Sequence, residues 1–362
     1  MTQAPARKEA MNHRPFIVPV FIPHAGCPHR CSFCNQWAVT GRPEMRPESG
    51  DGLASAREFL RFRGRRRGSA QIAFFGGNFL GLPAERIRSL LATAAEWIRN
   101  GEFDGIRFST RPDTVEPQVL DLIGDFPVQC VEVGTQSMND EVLRHSRRGH
   151  TAADTTTAVQ RLKARGYEVG LQLMVGLPGD EETRLLESGR RIADLDPAFV
   201  RIYPTLVLAG SLLATWYHEG RYRPLALDET VDQTMKLYRL FRQRGIPVIR
   251  TGLQPTKELT AGSTVVAGPY HPAFGQLVQS ACFLDAVRTA LRRRPISGDT
   301  LELRVHPRYT SHVRGQRNAN CAALKKEFGF SVVRVAPDPD LDDEVIALPE
   351  GRMISVYEPI VC

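Results

Sequence analysis

A parallel α/β sheet, open or closed into a barrel, is the fold class that this 362-residue sequence predicts, and two regularities predict it. Seven short, mostly apolar runs rich in β-branched residues recur over the first 250 positions, and helix-length amphipathic stretches separate them. Near-continuous apolar runs are the mark of strands buried on both faces. Strands alternating with helices form right-handed βαβ units, whose neighbours lie parallel. Six or more units in a row favour a barrel or part of one.

In order along the chain, strands are expected over 16–22, 71–75, 105–109, 128–134, 168–174, 199–203 and 247–251, where the residues are apolar and β-branched. Helical spacing of apolar residues places helices over 52–63, 84–99, 117–123, 151–165, 181–195 and 228–244. After Thr251 the rhythm loosens. Residues 253–280 read as loop, with Pro255, Gly262, Gly268, Pro269, Pro272 and Gly275. A basic helical stretch follows, carrying Arg288, Arg292, Arg293 and Arg294 and broken by Pro295 and Gly298. The tail reads as a strand (301–305), a helix (319–328), a strand (331–335), an acidic turn (338–344) and a strand (345–348). The expected division is a flexible N-terminus over 1–14, a barrel over 15–252, a loop-rich, substrate-facing extension with its basic helix over 253–296, and a small α/β module over 297–362.

Hydrophobic residues make up 42% of the chain and charged residues 24%, which suits a packed core and excludes disorder. The net charge of +7 fits an anionic partner such as a phosphate or RNA without demanding one. No stretch approaches the roughly 18 apolar residues of a membrane span, and no apolar run follows the charged start as in a signal peptide. A cytoplasmic protein with no membrane partner is expected.

Seven cysteines without an export signal argue against a disulfide framework. Cys27, Cys31 and Cys34 fall within eight residues of one another, directly after the first expected strand, where a parallel α/β fold places its chemistry. Gly26 permits a tight loop to begin the wrap. Three thiolates so close suit an iron–sulfur cube with one iron free of protein sulfur. Two other readings stay open: a zinc site completed by His24 or His29, and three unrelated thiols.

The Cys-x3-Cys-x2-Cys spacing, with Phe33 before the last cysteine, resembles the signature of the radical S-adenosylmethionine (radical SAM) superfamily. The resemblance implies a partial (β/α)6 barrel, here with a small C-terminal α/β module. It extends to the later strand ends and covers residues 16–250. Gly76-Gly77, after Phe74-Phe75, resembles the motif whose backbone receives the methionyl ammonium, with Asn78 where many members carry Glu. Ser109 ends the third strand, before Thr110-Arg111-Pro112-Asp113, and is placed with Phe33 and Asn78 among the cofactor residues. The stretch from Glu132 to Thr151 resembles the branch holding the oxygen-independent coproporphyrinogen oxidases and the catalytic subunit of Elongator. By that resemblance Gln136 binds the cofactor ribose and Arg148 its methionyl carboxylate, a pairing that a guanidinium fork suits. Gly176-Leu177-Pro178 resembles the segment lying against the adenine, with Gln172 in polar contact with the nucleoside.

The implied activity is that of an enzyme whose 4Fe-4S cluster, on Cys27, Cys31 and Cys34, reductively cleaves S-adenosylmethionine to a 5′-deoxyadenosyl radical. Its implied partners are an electron donor such as flavodoxin or ferredoxin, and a substrate for which the Elongator likeness points to tRNA. An Arg-x-x-Gly-x-Ala match at 65–70 resembles an acetyl-coenzyme-A loop but lies inside the first barrel crossover. Neither acetyl-coenzyme A nor an acetyltransferase domain is expected in the length that remains. For RNA, the basic stretch at Arg288–Arg294, Arg304-Val-His306-Pro307-Arg308 and the helix start from Arg314 through Arg317 to Asn320 are the candidates, with a solvated basic face as the plain alternative. Tyr270 and His271 are the candidate substrate-facing catalytic residues. Two alternative functions remain: a tetrapyrrole or haem reaction resembling coproporphyrinogen oxidation, and a non-catalytic, metal-bearing RNA-binding protein.

Overall fold

A computed structural model describes residues 15–22, 24–35, 51–63, 69–254, 259 and 264–357. The expected flexible N-terminus, residues 65–68 of the coenzyme-A-like match, and Pro255 and Gly262 of the expected loop lie outside them. Seven parallel strands, β1 (Phe16–Phe21), β2 (Ala70–Phe75), β3 (Gly105–Thr110), β4 (Val128–Gln136), β5 (Glu168–Val175), β6 (Phe199–Pro204) and β8 (Val248–Thr251), form one sheet in that order. The result is the curled, open half-barrel expected from the sequence. The short strands β7 (Val207–Leu208) and β9 (Val265–Ala267) pair antiparallel beside it.

Its outer layer holds α1 (Asp51–Phe59), α2 (Ala84–Arg99), α3 (Pro117–Ile123), α5 (Ala152–Ala164), α6 (Glu182–Asp194) and α8 (Leu227–Gln243), while α4 (Asp140–His145) and α7 (Leu212–His218) lie beside the cysteine loop. Side chains such as Ile72, Phe108, Val131, Leu171 and Ile202 are fully buried between sheet and helices. The other face departs from the expected apolar runs: Gln71, Arg107, Glu132 and Arg201 lie there, held by one another, with Gln172 bonded to Gln136. Curling of the sheet gathers these largely buried polar side chains on its concave face, where they satisfy one another's hydrogen bonds.

The expected loop over 253–280 is corrected at its end. Helix α9 (Phe274–Arg293) begins well inside it, with Phe274, Val278, Cys282 and Phe283 buried. Gly275 lets its first turn close on β8, since a Cβ there would lie 3.0 Å from the Thr251 carbonyl oxygen. The dense Pro and Gly residues upstream concealed this helix start. Beyond α9, β10 (Thr300–Val305), α10 (Thr310–Arg314), α11 (Ala319–Phe328), β11 (Val332–Pro337), β12 (Val345–Leu348) and β13 (Arg352–Ser355) make a four-stranded mixed sheet with its helices. Its buried residues belong to the same apolar cluster as the barrel's. Among the described residues, no helix is long and apolar enough to cross a membrane.

Candidate active site

The loop after β1 is fastened to the end of β2 by backbone contact. His24 N–H donates to the Gly76 carbonyl (3.1 Å) and Asn78 N–H to the Ala25 carbonyl (2.8 Å). A Cβ on Gly77 would lie 2.4 Å from the Ile22 oxygen, and one on Gly26 would lie 2.2 Å from the Asn78 oxygen, so two glycines let the two segments touch. Gly26 also adopts φ +72, a region open to glycine at no steric cost. On the far side, Ser32 N–H donates to the Ser146 carbonyl and Leu213 N–H to that of Ser32. Phe33 is wedged between Val142, Met174, Leu177 and Tyr203 on one side and Val207, Leu213, Trp216 and Tyr222 on the other.

Asn78 requires a correction. Its side chain is fully buried. Nδ2 donates to the Gly26 carbonyl at 2.7 Å, while Oδ1 accepts from Thr110 Oγ1 at 2.7 Å and Arg111 N–H at 2.9 Å, with Thr114 Oγ1 also at 2.9 Å. The amide joins three strand ends through protein partners. The sequence offered no sign of this, because its partners stand about thirty residues or more away.

Two buried guanidiniums flank Cys31. Arg148 Nη1 lies 3.1 Å from Cys31 Sγ and Nη2 donates to the Gly134 carbonyl at 2.6 Å. Arg111 reaches the same sulfur at 3.9 Å, grips Asp113 with both Nε and Nη2 at 2.9 Å, and donates to the Arg148 carbonyl. Asp113 balances one of these charges, so the pair leaves a positive environment at the cysteine loop. Arg148 Nε is buried with no hydrogen-bond partner. Burial, then the charges of Arg148 and Arg111, push His150 down to about 2, so its ring is neutral. It lies 3.2 Å from the Thr135 carbonyl through Nε2. Burial raises the Cys27 thiol above its usual range, chiefly by disfavouring the thiolate. Arg111, Asp113, Thr110 and His150 were missing from the residues proposed from sequence. Arg111-Pro112-Asp113 stood out there only as part of a likeness.

Among the described residues, no three Cys, His, Asp or Glu side chains gather round one point as a single metal ion requires.

At the end of β4 the ladder with β5 is interrupted between Val133 and Gln136, and Gln136 takes φ +67. This turn brings Gln136 Oε1 to 3.4 Å from Gln172 Nε2. A Cβ on Gly134 would lie 3.0 Å from Gln136 Nε2 and 3.4 Å from Arg148 Nη2, so these three residues share one corner. Gly176 (φ +81) follows β5, and its carbonyl accepts from Tyr222 Oη at 2.6 Å, a residue that sequence reasoning missed. Gly76 (φ +92) gives its carbonyl to the cysteine loop. Ser109 is half-buried and paired in register with Glu132.

Tyr270 and His271 lie among fold residues. Tyr270 packs against Leu206, Leu208 and Leu259, and His271 Nδ1 accepts from Ala273 N–H at 3.1 Å, just before α9. The basic face is likewise corrected. Arg288 and Arg292 both bind Glu327 at 2.7 Å, Arg304 binds Asp338, Arg308 binds Asp343, and Asn320 is buried with its amide on Ser280. Acids that are distant in sequence pair with these arginines. Arg314, Arg317, Lys325 and Arg334 instead line a cavity of about 730 Å³ beside α11 and β11.

The family model described as the radical SAM superfamily matches residues 21–192, and that described as the radical SAM C-terminal domain matches residues 197–282. An uncharacterized protein of Methanocaldococcus jannaschii is 28% identical over 242 residues, which is 62% of this chain and 71% of that one. A tRNA uridine(34) acetyltransferase of Dehalococcoides mccartyi is 27% identical over 231 residues, 55% of this chain; the match spans 50% of the acetyltransferase's length. Among solved structures, the archaeal Methanocaldococcus infernus Elp3 with an N-terminal deletion shares the fold with a TM-score of 0.57 and 19% identity, covering 79% of this chain and 65% of that one. With both family models spanning the half-barrel and its cysteine loop, this chain belongs to the radical SAM superfamily, enzymes that use a 4Fe-4S cluster and S-adenosylmethionine.

Proposed function

We propose that Cys27, Cys31 and Cys34 hold the cluster, that the ends of β2, β4 and β5 hold S-adenosylmethionine, and that the substrate is a nucleoside within RNA, tRNA first. The observation that carries the cofactor part is the pair of buried guanidiniums on Cys31, one of them with an unpartnered Nε. Three soft thiols suit iron, and a cluster bearing three thiolates is anionic, so fixed positive charge beside it favours loading. The residues present fit the group.

When bound, the cluster supplies the electron that splits the sulfonium carbon–sulfur bond, and the 5′-deoxyadenosyl radical released takes a hydrogen atom from the substrate. Arg148, held by the Gly134 carbonyl, offers its free Nε–H to the methionyl carboxylate. The backbone after Gly76 receives the ammonium, Gln136 and Gln172 meet the ribose and nucleoside, and the Gly176 segment, fixed by Tyr222, lies along the adenine. Phe33 with Val142, Met174 and Leu177 keeps water from this corner. Pro28, His29 and Arg30 form the exposed tip of the loop, where an electron donor such as flavodoxin or ferredoxin would approach. Free thiols and a reducible cluster suit a reducing compartment, hence the cytoplasm.

The RNA part is supported by the cavity lined by Arg314, Arg317, Lys325 and Arg334, and by the tRNA named in the matched acetyltransferase. Anaerobic reconstitution with iron and sulfide, followed by dithionite and S-adenosylmethionine, tests the enzyme. Release of 5′-deoxyadenosine by the wild type but not by Cys31→Ala is expected; zinc bound in place of iron would overturn the reading. A tRNA gel shift that weakens with salt tests the substrate.

A further inference from the structure

The concave face of the half-barrel carries a charge imbalance that the cofactor does not use. Glu132 of β4 is buried, and its Oε1 accepts from both Arg107 Nη1 of β3 (3.1 Å) and Arg201 Nη2 of β6 (2.8 Å). The strand register sets Arg250 of β8 opposite Arg201, and residues paired across neighbouring strands share a face. Arg250 is half-buried and has no hydrogen bond or ion pair among the described residues. Two of these three guanidiniums therefore share one buried carboxylate, and the third has no carboxylate partner among the described residues. Among the described strand residues of this face, the other acid is Glu168, exposed at the start of β5, the opposite end from the cysteine loop. Arg201 Nε is itself buried without a partner. Beside it stand Tyr203, whose Oη lies 3.4 Å from Arg201 Nη1, and the Phe75 ring, 5.2 Å from the guanidinium carbon. A stable fold gains nothing from a surplus buried cation; an anion arriving with the substrate would satisfy it.

We propose that Arg201, Tyr203 and Arg250 form an anion-recognition subsite on the concave face, which takes a phosphate or carboxylate group of the substrate. The proposal rests on the enzyme reading above and names its substrate as an anion. Glu132 and Phe75 hold Arg201 in place, so its fork is set before the ligand arrives. Arg250 adds a second guanidinium from the next strand, and the Tyr203 hydroxyl donates to a remaining lone pair of the anion. Tyr203 lies one residue before the end of β6, and Gln172 lies on β5 between this subsite and Gln136. A substrate anchored there would present its reacting carbon toward the ends of β4 and β5.

The test uses the reconstituted holoprotein with S-adenosylmethionine, titrated by calorimetry with uridine 5′-monophosphate, uridine and succinate. At least one of the two anions should bind, with uridine at least tenfold weaker. Preference for the nucleotide identifies a phosphate, and preference for succinate a carboxylate. Arg250→Ala should lower that affinity at least tenfold and Arg250→Lys should restore part of it, with iron content at the wild-type level showing that both variants are folded. Equal binding of uridine and its monophosphate, no binding of either anion, or an unchanged affinity in Arg250→Ala would overturn the subsite. Release of 5′-deoxyadenosine is measured on the same wild-type sample. Anion binding without release leaves the subsite standing and removes the enzyme reading, whereas release without anion binding does the reverse.

Discussion

The side-chain amide of Asn78 donates to the carbonyl of Gly26 at 2.7 Å, and with its other bonds this ties the loop bearing the three cysteines, already fastened to β2 through the backbone, to the end of β3 as well. The same amide accepts from Thr110 and from the backbone of Arg111, so truncation would strand several buried polar groups at once. Asn78→Ala should cost on the order of 2–3 kcal/mol of stability, read from urea unfolding. Its iron uptake on reconstitution should fall as well, because the loop loses its footing. Wild-type iron content in a destabilised variant would show that the loop is held by backbone contacts alone.

Arg148 joins Cys31 to Gly134 with two different nitrogens of one planar group. A lysine ammonium is a single point of charge and cannot reproduce that geometry with a third N–H to spare. Arg148→Lys should bind iron but bind S-adenosylmethionine roughly tenfold more weakly, the cost of about one charge-assisted hydrogen bond. Equilibrium dialysis with the labelled cofactor measures it.

Much of the barrel was legible in the sequence. The seven parallel strands were found within about two residues of their ends because β-branched runs and helical periods both respond to burial against the outer helices. The cysteine loop was legible because its spacing is local. The parts that were not legible depend on contacts between distant residues. Glu327, lying 35 residues beyond Arg292, pairs with two arginines that read as an RNA-binding face. His271, singled out as facing the substrate, accepts a backbone N–H beside the start of α9. The polar concave face escaped notice because Gln71, Arg107, Glu132 and Arg201 are single residues in otherwise apolar strands, and only the curl of the sheet brings them together.

Tyr222 supports the Gly176 peptide from outside the barrel strands. Its hydroxyl, 2.6 Å from the Gly176 carbonyl, is held protonated by burial. Tyr222→Phe should cost about 1 kcal/mol, which on the cofactor-binding segment corresponds to roughly a fivefold rise in the KM for S-adenosylmethionine with kcat little changed. A fall in kcat with an unchanged KM would assign Tyr222 to a later step than cofactor binding.

Asp180, in the loop between β5 and α6, gives the protein a pH dependence of its own. Burial is the largest influence on it and raises its carboxyl from 3.8 to about 7, against smaller opposing effects of the Glu181 N–H and Arg184. Oδ1 accepts from Glu181 N–H at 3.0 Å, while Oδ2 is buried without a partner. The folded protein keeps this proton across a range in which the unfolded chain has lost it. The stabilising contribution is therefore complete below pH 4, declines as pH rises toward 7 and is absent above it. Asp180→Asn removes the ionisable group and leaves an amide that cannot charge. Urea midpoints for the wild type should fall between pH 5 and pH 8, and those of Asp180→Asn should fall less, so that the variant is the more stable protein at pH 8. Parallel pH profiles for the two proteins would show that the Asp180 carboxyl ionises as freely in the fold as in the unfolded chain.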